Sequence, residues 1–221
     1  MIPVVGLVVA KAPVPGLAKT RLASTIGDRA AADIAAAALL DTLDAVAASP
    51  FQARVVAMTG DLDAAPASEE IRSRLDAFTV VPQRGDDFAD RLANAHLDAA
   101  AVAGIRAVVQ IGMDTPQVSS ALLTECAEEL LGAEAVLGLA TDGGWWVLGV
   151  SDASMADCVR QVPMSQDDTG AQTLAALSAK GIRVELVAEL ADVDTVDDIE
   201  AVRQACATES RFARAVREVR V

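Results

Sequence analysis

The chain has 221 residues, 52% hydrophobic but only 3% aromatic, with no tyrosine. That length and apolar content support one closed core and exclude wholesale disorder, and thin alanine and valine side chains suit helix–sheet packing better than an aromatic-lined β-barrel. Acidic residues outnumber basic ones, 32 to 18, for a formal charge of −14, which argues against wrapping nucleic acid or binding an anionic membrane, since both need basic patches.

Valine-rich runs of strand length alternate along the chain with alanine-rich stretches of helical period. Pro3–Ala10 reads as a buried strand. It is short, has no basic leader and runs into Lys11 and two prolines, so it reads as neither a signal peptide nor a membrane span. A Pro/Gly loop continues through Arg21, and Asp28 can cap a long helix towards Ser49. Arg54–Met58 reads as the second strand, Ser68–Leu75 as a short helix and Phe78–Val81 as a short strand. Asp87–Ala103 reads as a helix stopped by Gly104, with Asp86 or Asp87 as its cap. Ala107–Ile111 is the next strand, and Pro116–Leu131 the next helix, with Thr115 as cap. Ala135–Ala140 and Trp145–Val150 are strands around Asp142-Gly143-Gly144, a pair that can introduce an antiparallel element. Gly170–Ala179 is helical, Arg183–Val187 is a strand, and Thr195 opens the closing helices. The alternation implies one domain over residues 1–221, an α/β fold with a mostly parallel sheet covered on both faces.

Three cysteines (Cys126, Cys158, Cys206) without metal-ligand spacing fit reduced thiols in a cytoplasmic protein. A single histidine, His96, excludes a multi-histidine zinc site and reads as a helix-surface residue.

Candidate chemistry falls just after strands, where open α/β sheets bind ligands. In the loop Lys11-Ala12-Pro13-Val14-Pro15-Gly16-Leu17-Ala18-Lys19-Thr20-Arg21, three cations appear within the first 27 residues and no acid does. That is local positive potential on an acidic protein, suited to a nucleotide phosphate, or else a solvated basic loop. It is not a P-loop, because Ala18 and Pro13 stand where that motif needs glycine. Asp114, one step outside a strand, reads either as a ligand for a hard cation or as a turn residue. In Asp192-Val193-Asp194-Thr195, Thr195 has capping-box spacing to Asp198, which leaves Asp192 and Asp194 unexplained. The string also fits the Asp-x-Asp pattern of aspartate-nucleophile phosphatases, but lies too late in the chain for that fold; an EF-hand is excluded because Asp197 stands at its glycine position. Asp142-Gly143-Gly144-Trp145-Trp146 is a hairpin signal carrying both tryptophans of the chain. Strand alternation sends one ring to the core and the other to the opposite face, where it could wall an acceptor pocket with Gly143 and Gly144 beside Asp142.

In this order the segments resemble the bacterial GT-A-fold transferases of the arsenosugar-biosynthesis glycosyltransferase type, and more distantly the cofactor guanylyltransferases and sugar cytidylyltransferases. The resemblance rests on Lys11, Pro13, Pro15, Gly16, Lys19, Thr20, Arg21 and Leu22; on Gly112, Asp114, Thr115 and Pro116; on Asp142 to Trp146; and on Asp192 to Thr195. It implies a single GT-A-type, three-layer α/β/α domain. Its phosphate-binding residues would be Lys11, Gly16, Lys19 and Arg21, and its metal site, for Mg²⁺ or Mn²⁺, would use Asp114 and Asp194 with Asp192 nearby. Asp142 would be catalytic or an acceptor anchor. The implied reaction is glycosyl transfer from a nucleotide-diphosphate sugar to a small acceptor. Nucleotidyl transfer from a triphosphate and idle nucleotide binding are the alternatives. Departures from the family pattern gather on the acceptor side: tryptophans at 145 and 146 where tyrosines are usual, Asp86 for a glycine, Asp87-Phe88-Ala89-Asp90-Arg91 for Asp-Leu-Gly-Glu-Arg, and Met164 for a tryptophan. Asp114 and Asp194, eighty positions apart, are expected to meet at the carboxyl edge of the sheet.

Overall fold

The computed structural model describes residues 1–193 and 195–219. Strand β1 (Ile2–Lys11) is buried from Val4 to Ala10 because it lies mid-sheet with helices on both faces, which explains its unbroken apolar run. Its even-numbered residues Val4, Val8 and Ala10 face one core layer, and its odd-numbered Val5, Leu7 and Val9 the other. The remaining strands are β2 (Phe51–Thr59), β3 (Thr79–Pro82), β4 (Val108–Gly112), β5 (Ala135–Leu139), β6 (Trp145–Val150) and β7 (Val184–Leu186). They form a seven-stranded sheet in the order β3-β2-β1-β4-β6-β5-β7. All neighbours are parallel except β6, which runs antiparallel to both β4 and β5. The hairpin at Asp142 thus does break the parallel pattern, with β6 inserted between β4 and β5.

Helices α1 (Thr20–Ile26), α2 (Asp28–Ala48), α3 (Ser68–Leu75), α4 (Phe88–Ala103), α5 (Ser120–Gly132), α6 (Thr169–Ala179), α7 (Val196–Ala205) and α8 (Arg211–Glu218) surround the sheet. The layer of α2, α3 and α5 covers one face. The other is covered by α4, α6 and a 3₁₀ segment over Ala153–Gln161 that the sequence pattern does not announce. A third cluster joins α1 and α2 to α7 and α8. There Asp41 accepts hydrogen bonds from the backbone N–H groups of Arg211 and Phe212, at 3.1 and 2.9 Å, and fastens the start of α8 to α2. Among the described residues, no helix is long and apolar enough to cross a membrane.

Three readings of the sequence need correction. The helix expected from Pro116 begins at Ser120, capped by Ser119, whose hydroxyl accepts from Leu122 N–H. Thr115 to Val118 instead forms a turn, closed by Val118 N–H to Thr115 carbonyl at 3.1 Å. Asp28 is the first residue of α2 rather than its cap, which is Gly27, and the loop before it contains the additional helix α1. His96 is not a surface residue. It is 1% exposed, in the layer that α4 shares with the 3₁₀ segment. Arg160 of that segment reaches Asp90 and Asn94 on α4 and holds the two together.

Candidate active site

The sheet order reverses at β1: β2 lies on one side of it and β4 on the other. In an open α/β sheet such a reversal leaves a crevice at the carboxyl ends of the two central strands. The register pairs Val9 with Gly112, so the chain leaves β1 at Lys11 and β4 at Asp114 side by side. The Lys11 N–H donates to the Met113 sulfur at 3.2 Å across this junction.

The two segments meet through side chains as well. Lys19 Nζ donates to Asp114 Oδ2 at 2.7 Å, with the lysine side chain 13% exposed and the aspartate 35%. Burial works against the charge on Asp114, but the neighbouring ammonium outweighs it and holds the carboxyl below its usual range. Because α5 starts only at Ser120, Asp114 has no helix to cap. The Lys11 ammonium turns back on its own loop and donates to the Leu17 carbonyl at 2.9 Å, spanning Gly16, whose φ of +77° suits glycine. Arg21 is exposed, in the first turn of α1.

The late acidic string approaches the same edge. Ala140 and Leu190 form a parallel bridge, Thr141 N–H donates to the Leu190 carbonyl, and the Gln117 amide donates to the Ala191 carbonyl. Half-buried Asp192 therefore runs beside the turn that follows Asp114. Asp194, the other expected metal ligand, lies outside the described residues. Thr195 and Asp198 form the expected capping box, with Thr195 N–H donating to Asp198 Oδ2 at 2.6 Å.

Among the described residues, no group of three or more histidine, cysteine, aspartate or glutamate side chains is assembled for a metal. A Mg²⁺ or Mn²⁺ ion nevertheless fits the donor chemistry at Asp114. Such ions take one or two carboxylates and complete their shell with phosphate oxygens and water, and a protein cation already sits against this carboxylate.

Asp142 is exposed, and its Oδ1 accepts the Gly144 N–H at 2.8 Å, so it shapes its own turn. Gly143 has φ +91°, and a Cβ there would lie 1.7 Å from the Asp167 carbonyl oxygen. The Gly170 N–H donates to the Gly143 carbonyl at 2.8 Å. The glycines of this segment thus let the 163–170 loop lie directly against the turn. Gly143→Ala is expected to destabilise the protein by about 1–3 kcal/mol, the range for a strained left-handed residue, as read from the urea unfolding midpoint; an unchanged midpoint would remove this account of the glycine.

The tryptophans divide as alternation requires. Trp146 is 2% exposed in the layer of α2 and α5, and its Nε1 donates to the Ala188 carbonyl at 2.8 Å. Trp145 is half-buried against the opposite layer, together with Leu139 and Met164. A register shift near Gly138 lets Trp146 and Val147 share one face. The departures at Asp87-Phe88 and Met164 prove to be spatial neighbours, lining one groove with Arg160. Sequence reasoning missed Arg160. It pairs with Asp90 at 2.8 Å, a partnership across 70 positions that no local pattern signals.

The fold is shared with several solved structures. A candidate nucleotide-diphospho-sugar transferase from Desulfovibrio desulfuricans is 25% identical, with a TM-score of 0.85 over 99% of this chain and 95% of that one. A cytidylyltransferase from Leptospira borgpetersenii is 15% identical, with a TM-score of 0.59 over 99% and 94%. A Mycobacterium tuberculosis protein in complex with manganese is 20% identical, with a TM-score of 0.55 over 90% and 97%. No curated protein matches the chain. The model of the DUF2064 family, described as an uncharacterized protein conserved in bacteria, matches residues 42–166, a span that holds Asp114 and Asp142 to Trp146 and exceeds half the sequence, and the chain belongs to that family.

Proposed function

We propose that the protein is a metal-dependent, glycosyltransferase-like enzyme that moves a sugar from a nucleotide-diphosphate donor to a small acceptor. The observation that carries this reading is the Lys19–Asp114 pair in the crevice where the sheet order reverses. A carboxylate for a hard cation and an ammonium for phosphate oxygens are the two groups a pyrophosphate linkage needs. Bound there, Mg²⁺ or Mn²⁺ would offset the negative charge that builds on the departing nucleotide.

The chain's own residues divide the remaining work. Lys19 and Arg21 supply positive charge to the donor phosphates, Lys11 keeps the loop folded back through Leu17, and Asp114 holds the cation together with Asp192 and Asp194. Asp142 anchors the acceptor or takes its proton, beside Gly143, Gly144 and Trp145; Trp146, expected at the same pocket, is buried in the core and offers it no face. The acceptor side carries the departures in sequence, so the acceptor is proposed only as a small molecule.

Nucleotidyl transfer, with release of pyrophosphate from a triphosphate, is the second reading, favoured by the fold likeness to a cytidylyltransferase. Thermal shift with nucleoside triphosphates and nucleotide sugars, each with Mn²⁺, tests both, because a ligand bound to the native state raises the melting temperature. A shift with a nucleotide sugar and release of free nucleoside diphosphate supports glycosyl transfer. Pyrophosphate released from a triphosphate supports the alternative. A shift without turnover of any donor makes the protein an idle nucleotide binder, and no shift with any ligand removes all three readings.

A further inference from the structure

A line of side-chain hydrogen bonds runs from the 3₁₀ segment over Ala153–Gln161 to the carboxyl ends of the central strands. It begins at Arg160, in the groove that also holds Phe88 and Met164. Arg160 Nη2 donates to Asn94 Oδ1 at 2.6 Å and Nη1 to Asp90 Oδ1 at 2.8 Å, so one guanidinium holds two residues a turn apart on α4. Asn94 is 9% exposed and uses its other end as well, donating from Nδ2 to the Arg84 carbonyl at 2.8 Å. The residue before Arg84 is Gln83, just past the end of β3. Its Nε2 donates to the Ala10 carbonyl of β1 at 2.8 Å and to the Ala57 carbonyl of β2 at 3.0 Å, one residue before the chain leaves β1 at Lys11.

We propose that Arg160 is a positioning residue for the nucleotide site, acting through Asn94 on the Gln83–Arg84 segment that spans the ends of β1 and β2. The inference rests on the reading of the crevice as a nucleotide site. Two contacts share the work of holding that segment to α4. Arg84 also pairs with Asp98 at 2.7 Å, but its side chain is 56% exposed, and solvent leaves such a pair little strength. The Asn94 amide is buried, and a buried polar group that loses its partner carries the full cost of its desolvation. Asn94 is therefore the stronger hold. Its orientation is set from the far side: a guanidinium has only donors, so Arg160 must face Oδ1, and Nδ2 is left for the Arg84 carbonyl. Arg160 thus fixes the amide, and the amide fixes the wall of the crevice. A small shift of that wall misplaces a bound nucleotide without unfolding the protein.

Asn94→Asp separates the two ends of the relay, because a carboxylate still accepts from Arg160 but has nothing to donate to the Arg84 carbonyl. Calorimetric titration of the full chain with UDP-glucose and with CTP, each with Mn²⁺, is the measurement. Whichever nucleotide the unsubstituted protein takes, Asn94→Asp is expected to bind it about tenfold more weakly, the scale of one hydrogen bond. Arg160→Lys keeps a cation for Asp90 but loses the fork that reaches Asn94. It is expected to weaken binding in the same direction, and decides the matter if Asn94→Asp folds poorly. Gln83→Ala is expected to weaken binding similarly, and adding Asn94→Asp to it to cost nothing further, since both act through one contact. A role in packing alone would lower the urea midpoint of Asn94→Asp or Arg160→Lys and leave nucleotide affinity as it is, a result that overturns the proposal. Losses from Gln83→Ala and Asn94→Asp that simply add overturn it too. If neither nucleotide binds the unsubstituted protein, the nucleotide reading itself fails and takes the positioning role with it.

Discussion

Asp114→Asn is expected to lower kcat/KM for metal-dependent transfer roughly 10²–10³-fold, the scale on which loss of one preorganised electrostatic partner acts. Asparagine preserves the shape and one acceptor oxygen but not the charge, so a dication loses its protein anchor and the donor phosphates lose the ion that neutralises them. The effect on folding is expected to be small. The ion pair with Lys19 is lost, yet it is part-exposed, with 13% and 35% of the two side chains accessible, so solvent screens the loss to about 1 kcal/mol. Steady-state rates across a Mn²⁺ series, alongside urea unfolding, separate the two effects. Turnover that stays within a factor of a few, with unchanged Mn²⁺ dependence, would remove Asp114 from the chemistry.

The second large effect concerns stability rather than catalysis. His96 lies in the core on α4, and neither ring nitrogen has a hydrogen-bond partner among the described residues. Burial pushes its pKa down from 6.5 to about 3. Between those values the unfolded chain takes up a proton that the native protein refuses, so the unfolded state binds more protons and stability falls as pH falls. The contribution is intact above pH 6.5, begins to fade below it and is fully lost only below pH 3, a total of about 4–5 kcal/mol at 1.36 kcal/mol for each pH unit. Carboxylates whose pKa is lowered, such as Asp152 and Glu200, act only below their ordinary 3.8 and 4.5. A decline that begins below pH 6.5 therefore reports the histidine. In His96→Leu the slope between pH 6.5 and 5 is expected to flatten, and the variant should exceed the unsubstituted protein by about 2–3 kcal/mol at pH 4.5, as measured by urea unfolding at each pH. Parallel pH profiles for the two proteins would show that His96 is protonated without unfolding.

His96 also marks a limit of reading one helix at a time. Its helical stretch shows apolar neighbours on more than one side, and a single apolar stripe is all that packing on a sheet requires. A second buried side arises because the 3₁₀ segment of Ala153–Gln161 lies along α4, fixed by Arg160 to Asp90 and Asn94. That segment has neither the period of a helix nor the alternation of a strand, so nothing local announced it. The start of α5 was misplaced for a related reason. Thr115-Pro116 has the chemistry of a helix N-terminus, but Gln117 is drawn to the Ala191 carbonyl, and the turn holds until Ser119 takes over as cap.

From the sequence alone came the α/β class, the mostly parallel sheet, the loop that gathers three cations on an acidic chain, and the outward step of Asp114 from its strand. Each of these follows from short-range physics: side-chain period, strand and helix propensity, turn chemistry and local charge. Tertiary structure alone decided that β6 runs between β4 and β5, that the core ring is Trp146, tied to Ala188, and that Lys19 meets Asp114 across 95 positions. Those outcomes depend on which strands become neighbours. Strand order is settled by burying both faces of one sheet at once, a condition on the whole chain that no window of sequence contains.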